Sequence, residues 1–120
     1  MAKAIPILRI FDYPKAIEFY IDWLGFQIDW ENRPFGTLVY MQISLQEVVL
    51  HLSEHHGDST PGANIFIEDF QNIAPYHQNL LAKNYPYNRP ALGPFYFNPE
   101  VLEMKVIDPF SNRLSFHGKY

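Results

Sequence analysis

The 120-residue sequence contains no cysteine, which removes any disulfide framework, thiolate metal site or thiol nucleophile and fits a cytoplasmic protein. Long hydrophobic runs are also missing. The longest is Leu38-Val39-Tyr40-Met41, against the roughly 18 apolar residues of a membrane-spanning helix, so no membrane partner is expected. The N-terminus, Met1-Ala2-Lys3-Ala4-Ile5-Pro6, has no apolar stretch before a small-residue cleavage site, and no secretory leader is expected. Basic residues are in deficit, with nine Lys and Arg against 13 Asp and Glu. Residues 1–60 hold four basic and eight acidic side chains, so the net charge of −4 arises in the first half. That balance disfavours nucleic acid as a partner, because such binding draws its affinity from cations meeting phosphates. A cation is the better-matched charged ligand. Glycine is sparse too, six residues and never clustered, which excludes a phosphate-cradling loop. No Ser–His–Asp order or suitably spaced carboxylate pair stands out.

What the chain has in surplus is aromatic residues, 17%, together with ten prolines that turn the chain often. Its length suits one domain, 1–120, able to bury roughly two-thirds of its unfolded surface. Ile5–Phe11 reads as an entering strand containing Pro6. Asp12 caps a helix whose first turn holds Pro14, and whose Ile17, Tyr20, Ile21 and Leu24 fall on one face before Gly25 stops it. Strands follow at 26–31, 38–44 and 48–53, the last two joined across Gln46-Glu47. The polar segment 54–62, EHHGDSTPG, is a joint, and after it the order recurs. Asn64–Ile67 is a strand and Asn72–Lys83 a helix with Ile73, Tyr76, Leu80 and Leu81 on one face. Next come a proline-broken stretch over 85–98 and strands at 101–107 and 113–117, around the turn Asp108-Pro109-Phe110-Ser111-Asn112. The reading is α+β: two tandem β-α-β-β-β modules, 4–53 and 63–118. A single such unit leaves one sheet face uncovered.

The opening stretch, IPILRIFDYPKAIEFYIDWLGFQIDW, resembles the first module of the glyoxalase/bleomycin resistance/dioxygenase superfamily, the vicinal-oxygen-chelate fold. The turn from Val106 to Leu114 is similar to that family's Asp-Pro-x-Gly-Asn hairpin, with Ser111 in place of glycine and the positive φ expected at Asn112. The resemblance implies mixed sheets curled around a cleft. It spans metal-dependent lyases, isomerases and dioxygenases as well as metal-free antibiotic binders, so it specifies fold more than function. Carried over by the flanking motifs, the family's four metal positions fall on Ile5, His51, Ala63 and Ser115. His51 alone suits a divalent cation, against about three protein ligands in a catalytic site. The resemblance with this ligand set therefore implies no cofactor and no catalytic residue, and His55 and His56 read as solvated loop histidines. The alternative is a divergent metal-dependent lyase or oxidoreductase of the glyoxalase or dioxygenase type.

The bleomycin-resistance branch matches best in the first half. Its members carry an aromatic in the loop corresponding to Phe35-Gly36, and a Pro-Trp-Gly segment where this chain reads Pro99-Glu100-Val101. Flat rings can stack on a planar heteroaromatic ligand while carboxylates meet its cationic end. Trp30, Phe35, Tyr40, Phe95 and Tyr96 are candidate stacking residues, with Asp29, Glu31 and Glu54 as nearby charge. Alternation turns Val49, His51 and Ser53 inward and sends Leu50 and Leu52 under the helices, while Arg9 shares a face with Ile5 and Ile7. The expected function is a metal-free protein that sequesters a bleomycin-like small molecule in the groove of a homodimer, using Arg9, Trp30, Phe35, Tyr40, His51, Phe95 and Tyr96.

Overall fold

A computed structural model describes residues 1–120, apart from the side chain of Phe35. The chain contacts cluster into two compact units, residues 1–63 with 108–112 and residues 64–107 with 113–120.

In the first unit, β1 (Ile7–Arg9) pairs parallel with β4 (Val48–Ser53), and the antiparallel strands β3 (Tyr40–Leu45) and β2 (Gln27–Asn32) complete the sheet in the order β1-β4-β3-β2. Between β1 and β2 the chain forms α1 (Tyr13–Ala16), capped by the Asp12 carboxylate on the Lys15 N–H. The helix then differs from a regular α-helix. Ile17–Trp23 is π-helical, closing i→i+5 bonds such as Leu24 N–H to the Phe19 carbonyl at 2.9 Å. Ala16, Phe19, Tyr20, Trp23 and Leu24 are buried, whereas Ile17 and Ile21, expected on that face, are only half-buried. Phe19 packs edge-on against Tyr20 at 4.8 Å and tilted against Trp23 at 5.4 Å; Leu50 and Leu52 of β4 are buried as well. Gly25 ends the segment at φ +87°, and the six-residue-back bond from Phe26 N–H to the Tyr20 carbonyl closes it as expected.

The Asp108–Asn112 turn belongs to this unit and buries both Asp108 and Asn112. The Asp108 carboxylate accepts four hydrogen bonds: Phe110 N–H and Asn112 N–H on Oδ1, both 2.8 Å, and Asn112 Nδ2 (2.8 Å) and the Tyr20 hydroxyl (2.7 Å) on Oδ2. The positive φ falls on Ser111, +72°, and not on Asn112. The reason lies in the Asn112 side chain, which is fully buried and bonds the Arg9 carbonyl, Asp108 and the Ala63 N–H; exposed Ser111 is left to take the strained conformation.

In the second unit, β5 (Asn64–Ile67) pairs parallel with β8 (Arg113–Lys119), followed by β7 (Asn98–Ile107) and β6 (Leu92–Phe95) in the order β5-β8-β7-β6. Helix α2 (Ile73–Ala82) buries Ile73, His77 and Leu80. Tyr76 and Leu81 are half-buried. Phe70 N–H bonds the His117 carbonyl at 2.9 Å, so the chain runs hard against β8 at Gly118, where a Cβ would lie 2.2 Å from the Phe70 oxygen. Both units are four-stranded mixed sheets with few helices, the α+β architecture expected. Among the described residues no helix is long and apolar enough to cross a membrane.

Candidate functional site

On the solvent-facing side of the first sheet, β4, β3 and β2 place His51, Gln42 and Trp30 side by side, because His51 pairs with Gln42 and Gln42 with Trp30. The register slips between Ile28 and Trp30, a bulge that turns Asp29 onto the same side as Trp30. A continuous chain of hydrogen bonds results. The Gln42 amide donates from Nε2 to Asp29 Oδ2 at 3.0 Å, which directs its Oε1 to His51 Nε2, also 3.0 Å. An amide oxygen only accepts, so Nε2 carries the imidazole proton, and Nδ1 accepts from the Tyr40 hydroxyl at 2.8 Å. Asp29 also accepts from Gln27 Nε2 (3.0 Å) and Ser44 Oγ (2.9 Å). The hydrogen bond from Gln42, ahead of the others, holds its carboxyl below the usual aspartate value. Burial, followed by the charge of Asp58, raises the Tyr40 phenol, so it remains the donor in this chain at neutral pH.

Above the chain lie the rings. Trp30 stacks on Tyr40 with centroids 6.0 Å apart and planes 11° from parallel, and the His51 ring meets Trp30 edge-on at 5.4 Å. Trp30 is 43% exposed, so part of its ring system stays open to a ligand. Trp30, Tyr40 and His51 of the expected residues are thus brought together with Asp29. Arg9 is not bonded into this cluster: its guanidinium lies 4.6 Å from the Phe11 ring centroid and Nε donates to the Ile10 carbonyl. Ser53 is fully buried, donating to Asp58 Oδ2 at 2.7 Å. Glu54 is occupied in structure, accepting from Val39 N–H at 3.0 Å. Phe35 lies on a 3₁₀ turn, Pro34–Gly36, and its side chain is outside the described residues.

Phe95 and Tyr96 belong to the second unit. Phe95 lies half-buried against Phe66 (6.0 Å) and His117 (4.5 Å), while Tyr96 at 86% and Phe97 at 81% are exposed on the turn to β7. The polar core of that sheet face is a pair the sequence reading missed. His117 Nε2 lies 3.0 Å from Glu103 Oε2 and 3.2 Å from Ser115 Oγ, Nδ1 faces the Ile67 carbonyl at 3.3 Å, and the ring stacks on Phe66 at 4.0 Å. The signal was available in alternation, since Leu102, Met104 and Val106 point inward and leave Glu103 and Lys105 on the opposite side, facing Ser115 and His117.

The donors do not fit the metal chemistry of a vicinal-oxygen-chelate enzyme. His51 has both ring nitrogens engaged. Its register partner on β1 is Ile7, Ala63 contributes a backbone N–H to Asn112, and Ser115 sits opposite Phe66 and Lys105. Among the described residues, no group of three or more His, Asp or Glu could hold an ion.

Solved structures give the fold its context. The chain superposes on a glyoxalase family protein from Bacillus anthracis with TM-score 0.71 at 16% identity, covering 100% of this chain and 98% of that one. A bleomycin-binding protein complexed with bleomycin gives TM-score 0.74 at 16% identity with 100% of both chains covered. An antibiotic-binding protein from a Streptomyces species gives 0.69 at 14% identity, over 99% of this chain and 98% of that one. No curated protein matches the sequence. The family model described as "Glyoxalase superfamily protein" matches residues 1–120, and with both mixed sheets in place the chain belongs to the glyoxalase superfamily.

Proposed function

We propose that this protein is a metal-free, cytoplasmic, homodimeric binder that sequesters a planar aromatic, cationic small molecule of the bleomycin type. The observation that carries the reading is the Trp30–Tyr40 stack, with Trp30 open to solvent and the Asp29 carboxylate beside it. A flat heteroaromatic group would lie on the exposed indole, and Asp29, kept ionised by its three donors, would attract a cationic end. His51 then acts as a strut: with one nitrogen bonded to Tyr40 and the other to Gln42, it fixes the phenol under Trp30 and has no free lone pair for a metal or for proton abstraction. The bleomycin-binding and antibiotic-binding neighbours support a ligand of this class on this fold.

Calorimetric titration with bleomycin tests the reading. Saturable binding is expected, with quenching of indole fluorescence from Trp30. Trp30→Ala should weaken it about thirtyfold, the roughly 2 kcal/mol typical of a central aromatic contact. Absence of heat and of quenching at high micromolar bleomycin defeats the glycopeptide assignment, and a monomer in sedimentation with full binding defeats the dimer groove.

A further inference from the structure

The bulge in β2 leaves Asp29 without a partner on β3: Gln27 is opposite Ser44, Ile28 opposite Ile43, and the pairing resumes with Trp30 opposite Gln42. The Asp29 carboxylate therefore spans two rows of the ladder, and its two oxygens meet different neighbours. Oδ1 serves the Gln27–Ser44 row and accepts from both side chains, Gln27 Nε2 at 3.0 Å and Ser44 Oγ at 2.9 Å. Oδ2 serves the Trp30–Gln42 row and accepts, among the described residues, from Gln42 Nε2 alone, at 3.0 Å. A carboxylate oxygen offers two lone pairs. Both are taken on Oδ1, and one stays open on Oδ2, the oxygen that shares its row with the exposed indole. The donors are fixed by the sheet: Ser44 and Gln42 are half-buried on β3, and Gln42 is held at its other end by His51.

We propose that this lone-pair count makes the Trp30 face selective for an aromatic ligand with an alkylammonium head over one with a guanidinium or amidinium head. The inference rests on the reading of that face as a ligand-binding stack. A planar fork needs one lone pair on each carboxylate oxygen. With Oδ1 filled, a guanidinium reaches Oδ2 through a single N–H. Its second, parallel N–H meets an oxygen that has nothing left to offer, and loses water there without replacement. An ammonium asks for one acceptor and leaves its other two N–H groups in solvent. Its compact charge also suits a single-point contact. Ser44 and Gln27 are thus specificity-determining residues that act through Asp29, by filling Oδ1.

The test is calorimetric titration of the full-length protein with 2-naphthylmethylammonium, 2-naphthylmethylguanidinium and the neutral 2-naphthylmethanol, which share a ring system and differ in the head. Asp29 is exposed, so each difference is that of a surface contact. The ammonium is expected to bind about threefold more tightly than either of the others. Ser44→Ala frees one lone pair on Oδ1 and Gln27→Ala frees the other. Each variant should keep the wild-type melting temperature, raise guanidinium affinity about threefold and leave ammonium affinity within about twofold. A gain of affinity on deleting a side chain is an outcome that loosened packing does not produce. A guanidinium that binds the wild type as tightly as the ammonium, or that gains nothing in both variants, overturns the proposal. Trp30→Ala should weaken all three probes alike. A guanidinium preference that depends on Trp30 refutes the head-group rule and keeps the stack, whereas binding of every probe that is indifferent to Trp30 refutes the stack and the rule with it. The glycopeptide assignment is tested by bleomycin alone and can fail while the head-group order holds.

Discussion

Replacing Tyr20 by phenylalanine removes one oxygen atom from a fully buried ring and should cost more than its size suggests. The hydroxyl donates to Asp108 Oδ2 at 2.7 Å, one of four bonds holding a carboxylate that is 4% exposed. Burial already raises the Asp108 carboxyl above its ordinary value, against the lowering effect of Asn112, Tyr20 and Phe110. A hydrogen bond to a charged group contributes about 1.5–3 kcal/mol, and the lost hydroxyl leaves no room for replacement solvent, so about 2 kcal/mol is expected at pH 7. The pH dependence follows from the sign of the shift. Because the folded value is raised, the folded chain holds the Asp108 proton to higher pH than the unfolded chain does. Burial of the ionised carboxylate therefore weighs on stability above the folded value, and that burden is relieved as pH falls through it toward 3.8, the unfolded reference. Tyr20→Phe removes a bond made chiefly to the ionised form, so it raises the folded value further. Its cost should be largest at pH 7 and shrink at pH 4. Urea unfolding at both pH values, monitored by the near-ultraviolet signal of the buried aromatics, measures it through the midpoint at constant slope. A loss below about 0.5 kcal/mol at pH 7, or an equal loss at pH 4, would refute the claim that the carboxylate depends on this phenol.

Two further outcomes follow from close contacts and from donor chemistry. Gly118→Ala places a methyl group 2.2 Å from the Phe70 carbonyl oxygen and 3.3 Å from Ile73, so the backbone itself must move; about 3 kcal/mol or outright failure of the second unit to fold is expected, read by urea unfolding, and a wild-type midpoint would contradict the close approach. Added zinc, nickel or manganese should leave the melting temperature unchanged, because a ligand bound only by the folded state stabilises it in proportion to RT ln(1 + [L]/Kd); a concentration-dependent rise would contradict the engagement of both His51 nitrogens.

Much of the architecture was legible from local chemistry. Asp12 with Pro14 marked the helix start, Gly25 its stop, and β4 and β5 fell where the apolar runs lie, because caps and alternation are decided by a residue and its near neighbours. The π-helical segment was not legible. Its spacing of Ile17, Tyr20, Ile21 and Leu24 satisfies an α-helical stripe, and local periodicity carries no sign of the wider turn. At the site, Trp30, Tyr40 and His51 were identified singly, but Asp29 joins them through a bulge that changes the parity of the strand. His117 and Glu103 lie fourteen residues apart and meet only through the pairing of β7 with β8.

By itself the sequence determined the repeated β-α-β-β-β order and the first half's excess of carboxylates, while only its resemblance to the family singled out Ile5, His51, Ala63 and Ser115 as the positions to inspect for metal donors. Those properties are written residue by residue, so no folding is needed to read them. Tertiary structure alone decided that the Asp108 turn joins the first unit and that Ser111 bears the positive φ. It also decided that His51 spends both nitrogens on Tyr40 and Gln42. Each of these depends on strand register and on which buried polar atoms find partners, and a hydrogen bond across a sheet has no counterpart in local spacing.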